Sequence, residues 1–187
     1  MAKSKFNWLT HGMSGLLGDL MVFRQRANKT IVAMRPRPSG KEPTADMMNI
    51  RKKFKKAALY AKTAIANPAL KAEYQAVAKL GQSAFNRAFK DYQLAPELED
   101  PNLSAYTGEA GEHITVSALD DFRVESVHVV IKTGAGIIVE EGEAVQDDGG
   151  LDWVYTTTTA NTEMVGAKVI FTATDLPGNK TELVVPV

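Results

Sequence analysis

Along the first half of this 187-residue chain the apolar residues recur at steps of three and four, and along the second half at steps of two. The change of period divides helices from strands. Met47, Ile50, Phe54, Ala57, Ala58, Ala61 and Ile65 fall on one helical face, which is expected to be core. Pro43 has no N–H to leave unpaired, and the Thr44 hydroxyl is placed to cap a helix starting at Ala45. Asn67-Pro68 opens a second helix, Asn capping and Pro in the first position, with Leu70, Tyr74, Val77 and Leu80 as its buried face and Gly81 as its end. Ser83 caps a third, whose stripe is Phe85, Ala88, Phe89 and Tyr92. Ahead of these helices, residues 20–26 and 30–35 are short runs rich in Val, Ile, Met and Phe. The connection Ala27-Asn28-Lys29, with Asn able to take positive φ, makes them a β-hairpin. Gly12, Gly15 and Gly18 are spaced as in a close-packed turn or short helix, and no Lys-Ser or Lys-Thr follows them as a phosphate-binding loop requires.

Residues 93–104, QLAPELEDPNLS, lose periodicity and turn to Pro, Asn and acid. The domain boundary is expected there, with a linker over 94–103. Beyond it, 113–118, 124–132, 136–140, 152–157, 168–174 and 181–187 read as strands, separated by Asp-, Gly- and Pro-rich turns. Six short strands in some eighty residues, with a seventh unread, are the pattern of an antiparallel β-sandwich. The expected fold class is α+β in two domains, a hairpin with α-helices over 1–93 and a sandwich over 104–187.

The runs VHVVIKTGAGIIVEEGEA, LDWVYTTTT and GAKVIFTATDLPGN resemble the bacterial immunoglobulin-like domains that recur in surface, adhesin and virion proteins. The resemblance covers 104–187 and implies a spacer or docking module without catalytic residues, in which Trp153 and Ile170 are core and Asp175 with Gly178-Asn179 a turn. The first half resembles uncharacterised bacterial proteins with a hairpin followed by basic helices, a family with no assigned activity. Some bacterial families join an HU-like DNA-binding domain to an immunoglobulin-like one, but the long basic β-arms of that fold are missing here.

Charge changes the picture more than composition does. Residues 1–93 hold 18 of the 22 Lys and Arg but only 5 of the 22 Asp and Glu, a net of +13, and the remainder carries −13. Opposite signs on two halves are a statement about partners. The basic surface is expected to comprise Arg24, Arg26, Arg35, Arg37, Lys52, Lys55 and Lys56, and the acidic one Glu140, Glu141, Glu143, Asp147 and Asp148. The Lys-rich helix face reads either as a solvated surface or as one that docks on something acidic. The expected partner is another copy of the chain or another protein, giving a self-assembling structural protein of a surface appendage or virion. Nucleic acid bound by the basic half is the alternative.

Candidate chemistry is sparse. There is no cysteine, so disulfides, thiolate zinc sites and cysteine nucleophiles are excluded. His11, His113 and His128 are too scattered for a close-spaced ligand pair, and no Gly-x-Ser-x-Gly elbow exists. Glu140, Glu141 and Glu143 alternate across a strand, which argues against a paired acid and base. Asp147, Asp148 and Asp152 around Gly149-Gly150 offer oxygens for Ca²⁺ without the spacing of an EF-hand loop. The chain is therefore expected to be non-enzymatic, with no metal, cofactor or small-molecule substrate. No signal peptide or membrane span is read, because His11 and Asp19 interrupt the partly apolar N-terminal stretch.

Overall fold

The structure, a computed structural model, describes residues 2–4, 10–27, 29–38 and 40–187. It is an α+β fold with three helices and three antiparallel sheets.

The first sheet pairs β1 (Ala2–Ser4), β2 (Gly15–Leu17), β3 (Met21–Arg26) and β4 (Lys29–Met34) in the order β1-β4-β3-β2. The expected hairpin is β3 and β4, in register from Met21↔Met34 to Arg26↔Lys29. Its connection is one residue shorter than the sequence reading, since Lys29 already belongs to β4, and Ala27 takes φ +47°. Asn28, expected to take positive φ, lies outside the described residues. The glycine-spaced stretch, expected as a close-packed turn or short helix, forms turns at 10–12 and 18–20 about strand β2, because Gly15 to Leu17 pair with Phe23 to Met21.

All three caps read from the sequence are made. The Thr44 hydroxyl accepts from the Met47 N–H at 3.3 Å ahead of α1 (Ala45–Ala66), the Asn67 side chain from Ala69 N–H at 3.0 Å ahead of α2 (Pro68–Ala76), and Ser83 Oγ from Asn86 N–H at 3.4 Å ahead of α3 (Ala84–Gln93). Two core expectations fail. The buried face of α1 is Ala57, Ala61 and Ala64, while Met47, Ile50 and Phe54 are exposed. The first buried residue of the helix is its thirteenth, so about three turns of α1 bury no side chain fully. In α2 the helix stops at Ala76, one turn early, and leaves Val77 and Leu80 exposed.

The second half forms two four-stranded antiparallel sheets about one core. One has the order β5-β6-β10-β9, from β5 (Glu97–Asn102), β6 (His113–Leu119), β10 (Asp152–Thr156) and β9 (Val145–Gln146). The other has the order β12-β11-β7-β8, from β12 (Lys180–Pro186), β11 (Lys168–Asp175), β7 (Val124–Lys132) and β8 (Ile138–Glu143). Ile114, Val116, Val127, Val129, Ile131, Trp153, Val169 and Phe171 from both sheets share the core, the inward half of each alternating strand. Ile170, expected in the core, is half-buried on the other face of β11. The segment read as a linker holds β5, whose Leu98 packs on this core while Glu97 and Glu99 face out. A register shift between Glu99 and Asn102, with Asp100 at φ +48°, breaks the alternation that would have revealed it.

The helices dock on the end of this unit formed by the β6–β7 and β11–β12 loops. Phe122 stacks on Tyr74 with ring centroids 4.2 Å apart, and Leu176 packs on the same helical core. Arg87 pairs with Asp121 at 2.9 Å and Lys90 with the same carboxylate at 2.6 Å. Asn179 Nδ2 donates to the Leu94 carbonyl at 3.1 Å and to Asp175 Oδ2 at 2.7 Å. The basic and acidic halves thus meet within one chain, through residues other than those expected to carry either surface.

Candidate interaction surfaces

Arg24 and Arg26 project from β3, Arg35 and Arg37 follow β4, and Lys52, Lys55 and Lys56 lie on the overhanging turns of α1; all seven are exposed. Arg35 is paired with Asp19. Among the described residues, Arg24, Arg26, Arg37, Lys52, Lys53, Lys55 and Lys56 form no ion pair, so their charge is available to a partner.

Apolar surface lies between these cations. Met47, Met48, Ile50, Phe54 and Leu59 are exposed along α1, and Met13, Leu16, Leu17, Leu20, Met21 and Met34 on or beside the first sheet. Phe54 rests edge-on against Phe89 at 4.7 Å, and beside it a groove of about 550 Å³ opens between α1 and the end of α3. Ile50, Phe54 and Tyr92 form its apolar wall, with Lys53, Lys56 and Asn179 contributing polar atoms.

The expected acidic surface divides in two. Glu140 is a correction: it is buried, pointing inward from β8. One of its oxygens accepts from Thr158 N–H at 2.8 Å, Thr158 Oγ1 at 2.7 Å and Thr159 N–H at 3.1 Å, which fixes the chain leaving β10. Burial, with the Glu140 charge beside it, raises the Tyr155 hydroxyl to about 12. Glu141 and Glu143 point outward on either side of His128, Glu143 Oε1 accepting a hydrogen bond from His128 Nδ1–H at 3.0 Å. Asp147 and Asp148 are exposed in the turn after β9, held by Asp147 N–H to Asp152 O at 2.8 Å and Gly150 N–H to Asp147 O at 2.8 Å. The surface that remains is Glu141, Glu143, Asp147 and Asp148, and the first three of these rim a shallow hollow of about 510 Å³ lined also by Val145, Val154 and Tyr155.

Asp152, the third carboxylate considered for calcium, accepts from Ser117 Oγ at 2.5 Å. Among the described residues no group of three or more His, Asp or Glu is placed to hold a metal ion, and no helix is long and apolar enough to cross a membrane.

Sequence reasoning missed a buried polar line at the junction. Tyr60 and Tyr74 hydroxyls are 2.9 Å apart, and Tyr74 donates to Asp91 Oδ2 at 2.6 Å. Burial, then the nearby Asp120, Asp175 and Asp121 charges, push the Asp91 carboxyl up to about 7 against the lowering effect of the Tyr74 bond. The i, i+3, i+4 spacing of Arg87, Lys90 and Asp91 on α3 was the available signal, but their partners were not, Asp121 lying more than 30 residues from Arg87 and Lys90 and Tyr74 lying 17 from Asp91. Also missed was an apolar tip opposite the helices, formed by Ile137, Ile138 and Val165. The adjacent isoleucines after Gly134-Ala135-Gly136 marked it in the sequence. Comparison with protein-family models, with curated proteins and with solved structures finds no match.

Proposed function

We propose that this chain is a non-enzymatic structural protein that assembles with further copies of itself, as a component of a surface appendage or virion. The observation that carries the reading is the apolar surface left open on the basic half. Among the described residues the first sheet buries only Phe23 and Thr30, and the overhanging turns of α1 expose Met47, Met48, Ile50 and Phe54 among unpaired lysines. Large contiguous apolar surface is costly for a monomer and marks an interface. Charge selects the partner: exposed Glu141, Glu143, Asp147 and Asp148 on a second copy complement Lys52, Lys55 and Lys56. The C-terminal unit is, in this reading, an immunoglobulin-like spacer. Its strand orders correspond to the A-B-E-D and G-F-C sheets of such domains with one strand added beside C, though Trp153 lies on the strand equivalent to E rather than C.

Sedimentation velocity over a concentration series tests assembly. Growth with concentration that weakens but survives at high salt is expected, since apolar contact is not screened and the charge pairs are. A monomer at every concentration, in low and high salt, would refute it.

The unpaired Arg24, Arg26, Lys52, Lys55 and Lys56 also support the second reading, binding of nucleic acid by phosphate contacts. A mobility-shift series with the whole chain decides it: binding must fall steeply with salt, and no shift at low salt ends the idea.

A further inference from the structure

The two ends of the molecule carry surfaces of matching chemistry. At the helical end lies the groove walled by Ile50, Phe54 and Tyr92 and edged by Lys53 and Lys56. At the far end of the two-sheet unit the β7–β8 turn and the β10–β11 loop meet in an apolar tip, with Ile137 65% exposed, Ile138 51% and Val165 95%. Strand pairing fixes the opposition. Lys132 pairs with Lys168 and Ile138 beside the tip, whereas Val124 pairs with Asp175 beside the helices. The nine residues of β7 separate the two ends by about 30 Å.

The tip is built to hold its shape. Thr133 N–H donates to the Ile137 carbonyl at 2.9 Å, Gly136 N–H to the Thr133 carbonyl at 2.9 Å, and Ile137 N–H reaches Thr133 Oγ1 at 3.3 Å. The two loops touch because residue 134 has no side chain: a Cβ there would stand 2.5 Å from the Val165 carbonyl oxygen. Exposed isoleucines on a tied turn lose little conformational freedom when they are covered. Exposed Glu141 and Glu163 stand beside this tip in the chain, and Lys53 and Lys56 beside the groove.

We propose that the Ile137, Ile138 and Val165 tip of one copy seats in the Ile50, Phe54 and Tyr92 groove of the next, with Glu141 meeting Lys53 or Lys56. This rests on the self-assembly reading and names its contact. Tip and groove lie at opposite ends, so one chain cannot satisfy both by folding back. The contact is heterologous, and repetition closes a ring or extends a filament.

Two exposed double variants of the full chain test it by sedimentation velocity. In the tip variant Ile137→Asp is combined with Val165→Asp; in the groove variant Ile50→Glu is combined with Lys53→Glu. Each alone is expected to run as a monomer at concentrations where the wild type is assembled. An equimolar mixture is expected to form a 1:1 dimer that grows no further, because one intact tip and one intact groove remain. Variants that assemble as the wild type does, or monomeric variants that stay apart when mixed, overturn the tip-and-groove contact and leave self-assembly through another surface standing. A wild type that never assembles removes both. Circular dichroism checks that each variant is folded. Should one not be, the charge exchange of Glu141→Lys with Lys53→Glu and Lys56→Glu serves: the Glu141 variant and the Lys53, Lys56 double variant each weaken assembly and the three changes in one chain restore it, and absence of restoration overturns the contact.

Discussion

The two-sheet unit and the N-terminal half use similar numbers of residues to opposite effect. The former places inward side chains from seven strands, both sheets included, in one core that includes Trp153, Tyr155 and Phe171. The latter buries Ala61, Ala64, Tyr74, Ala84 and Ala88 in its helical core, four of the five being alanine, and in its sheet, among the described residues, only Phe23 and Thr30. Burial of apolar area scales with side-chain size, so an alanine core contributes a fraction of what Phe, Ile and Val contribute. The helices gain the rest from the sandwich end, where Phe122 and Leu176 complete their core. One half therefore carries a large core of its own, and the other draws part of its core from the docking contact and leaves apolar and basic surface exposed.

The sharpest way to break this contrast is Phe171→Ala, which empties a site 1% exposed at the centre of the two sheets. A loss of about 3–5 kcal/mol is expected in denaturant unfolding. Phe54→Ala, at a ring 59% exposed on α1, is expected to change stability by less than about 1 kcal/mol. Equal losses at the two positions would show that α1 is covered within the monomer and the contrast is false.

Next in size is the junction itself. Arg87→Ala removes the buried guanidinium that pairs with Asp121 and donates to its carbonyl at 2.5 Å, leaving Lys90 to hold the carboxylate. A loss of about 1.5–3 kcal/mol is expected. Hydrogen exchange should localise the change to α2 and α3 while β7 and β11 stay protected. Uniform loss of protection across both halves would mean that they unfold as one unit rather than as support and docked part.

Local rules were legible and long-range ones were not. Thr44, Asn67 and Ser83 each cap the helix they were expected to, because a cap depends on neighbours within three residues. The alternation in His113–Leu119 and Val124–Lys132 likewise specified its buried face. The face of α1 was right at Ala57 and Ala61 and overextended at Met47, Ile50 and Phe54, because periodicity gives a stripe without its extent. The small residues Ala57 and Ala61, with Ala64 outside the expected stripe, let α1 approach α3 closely, and Ile50 and Phe54 wall the groove. Alternation was enough to put Glu140 on the opposite face from Glu141 and Glu143, but not to say which face was core; that depended on β7 and β10. Strand β5 was hidden because Pro101 and the left-handed Asp100 interrupt its pattern. The junction partners were beyond reach, since nothing local ties Arg87 to Asp121 or Asn179 to Leu94.

A last test of the comparison concerns pH, because the junction carboxyls oppose one another. Asp91 is raised from an ordinary 3.8 to about 7, chiefly by burial, and Asp175 is raised for the same first reason. Asp121 is lowered: burial works against ionisation there, and the Lys90 bond with the Arg87 and Lys90 charges outweighs it. Asp91 faces the Tyr74 and Tyr60 hydroxyls from α2 and α1, Arg87 on its own helix, Asp120 and Asp121 from the β6–β7 loop, and Asp175 from β11. An acid raised in the folded state binds its proton more tightly there than when unfolded. Its contribution is complete below pH 3.8 and is lost as pH rises through about 7, while that of Asp121 runs the other way and is lost as pH falls below its ordinary value. Between pH 4 and 7, stability is therefore expected to decline with rising pH, by less than Asp91 alone would give wherever Asp121 is still gaining charge. Asp91→Asn keeps an acceptor for the Tyr74 hydroxyl and removes the titration, so its urea midpoint should vary less over pH 5–7 than that of the wild type. Parallel profiles would mean that Asp91 is ionised throughout this range, and any decline of stability toward pH 7 would then come from another group.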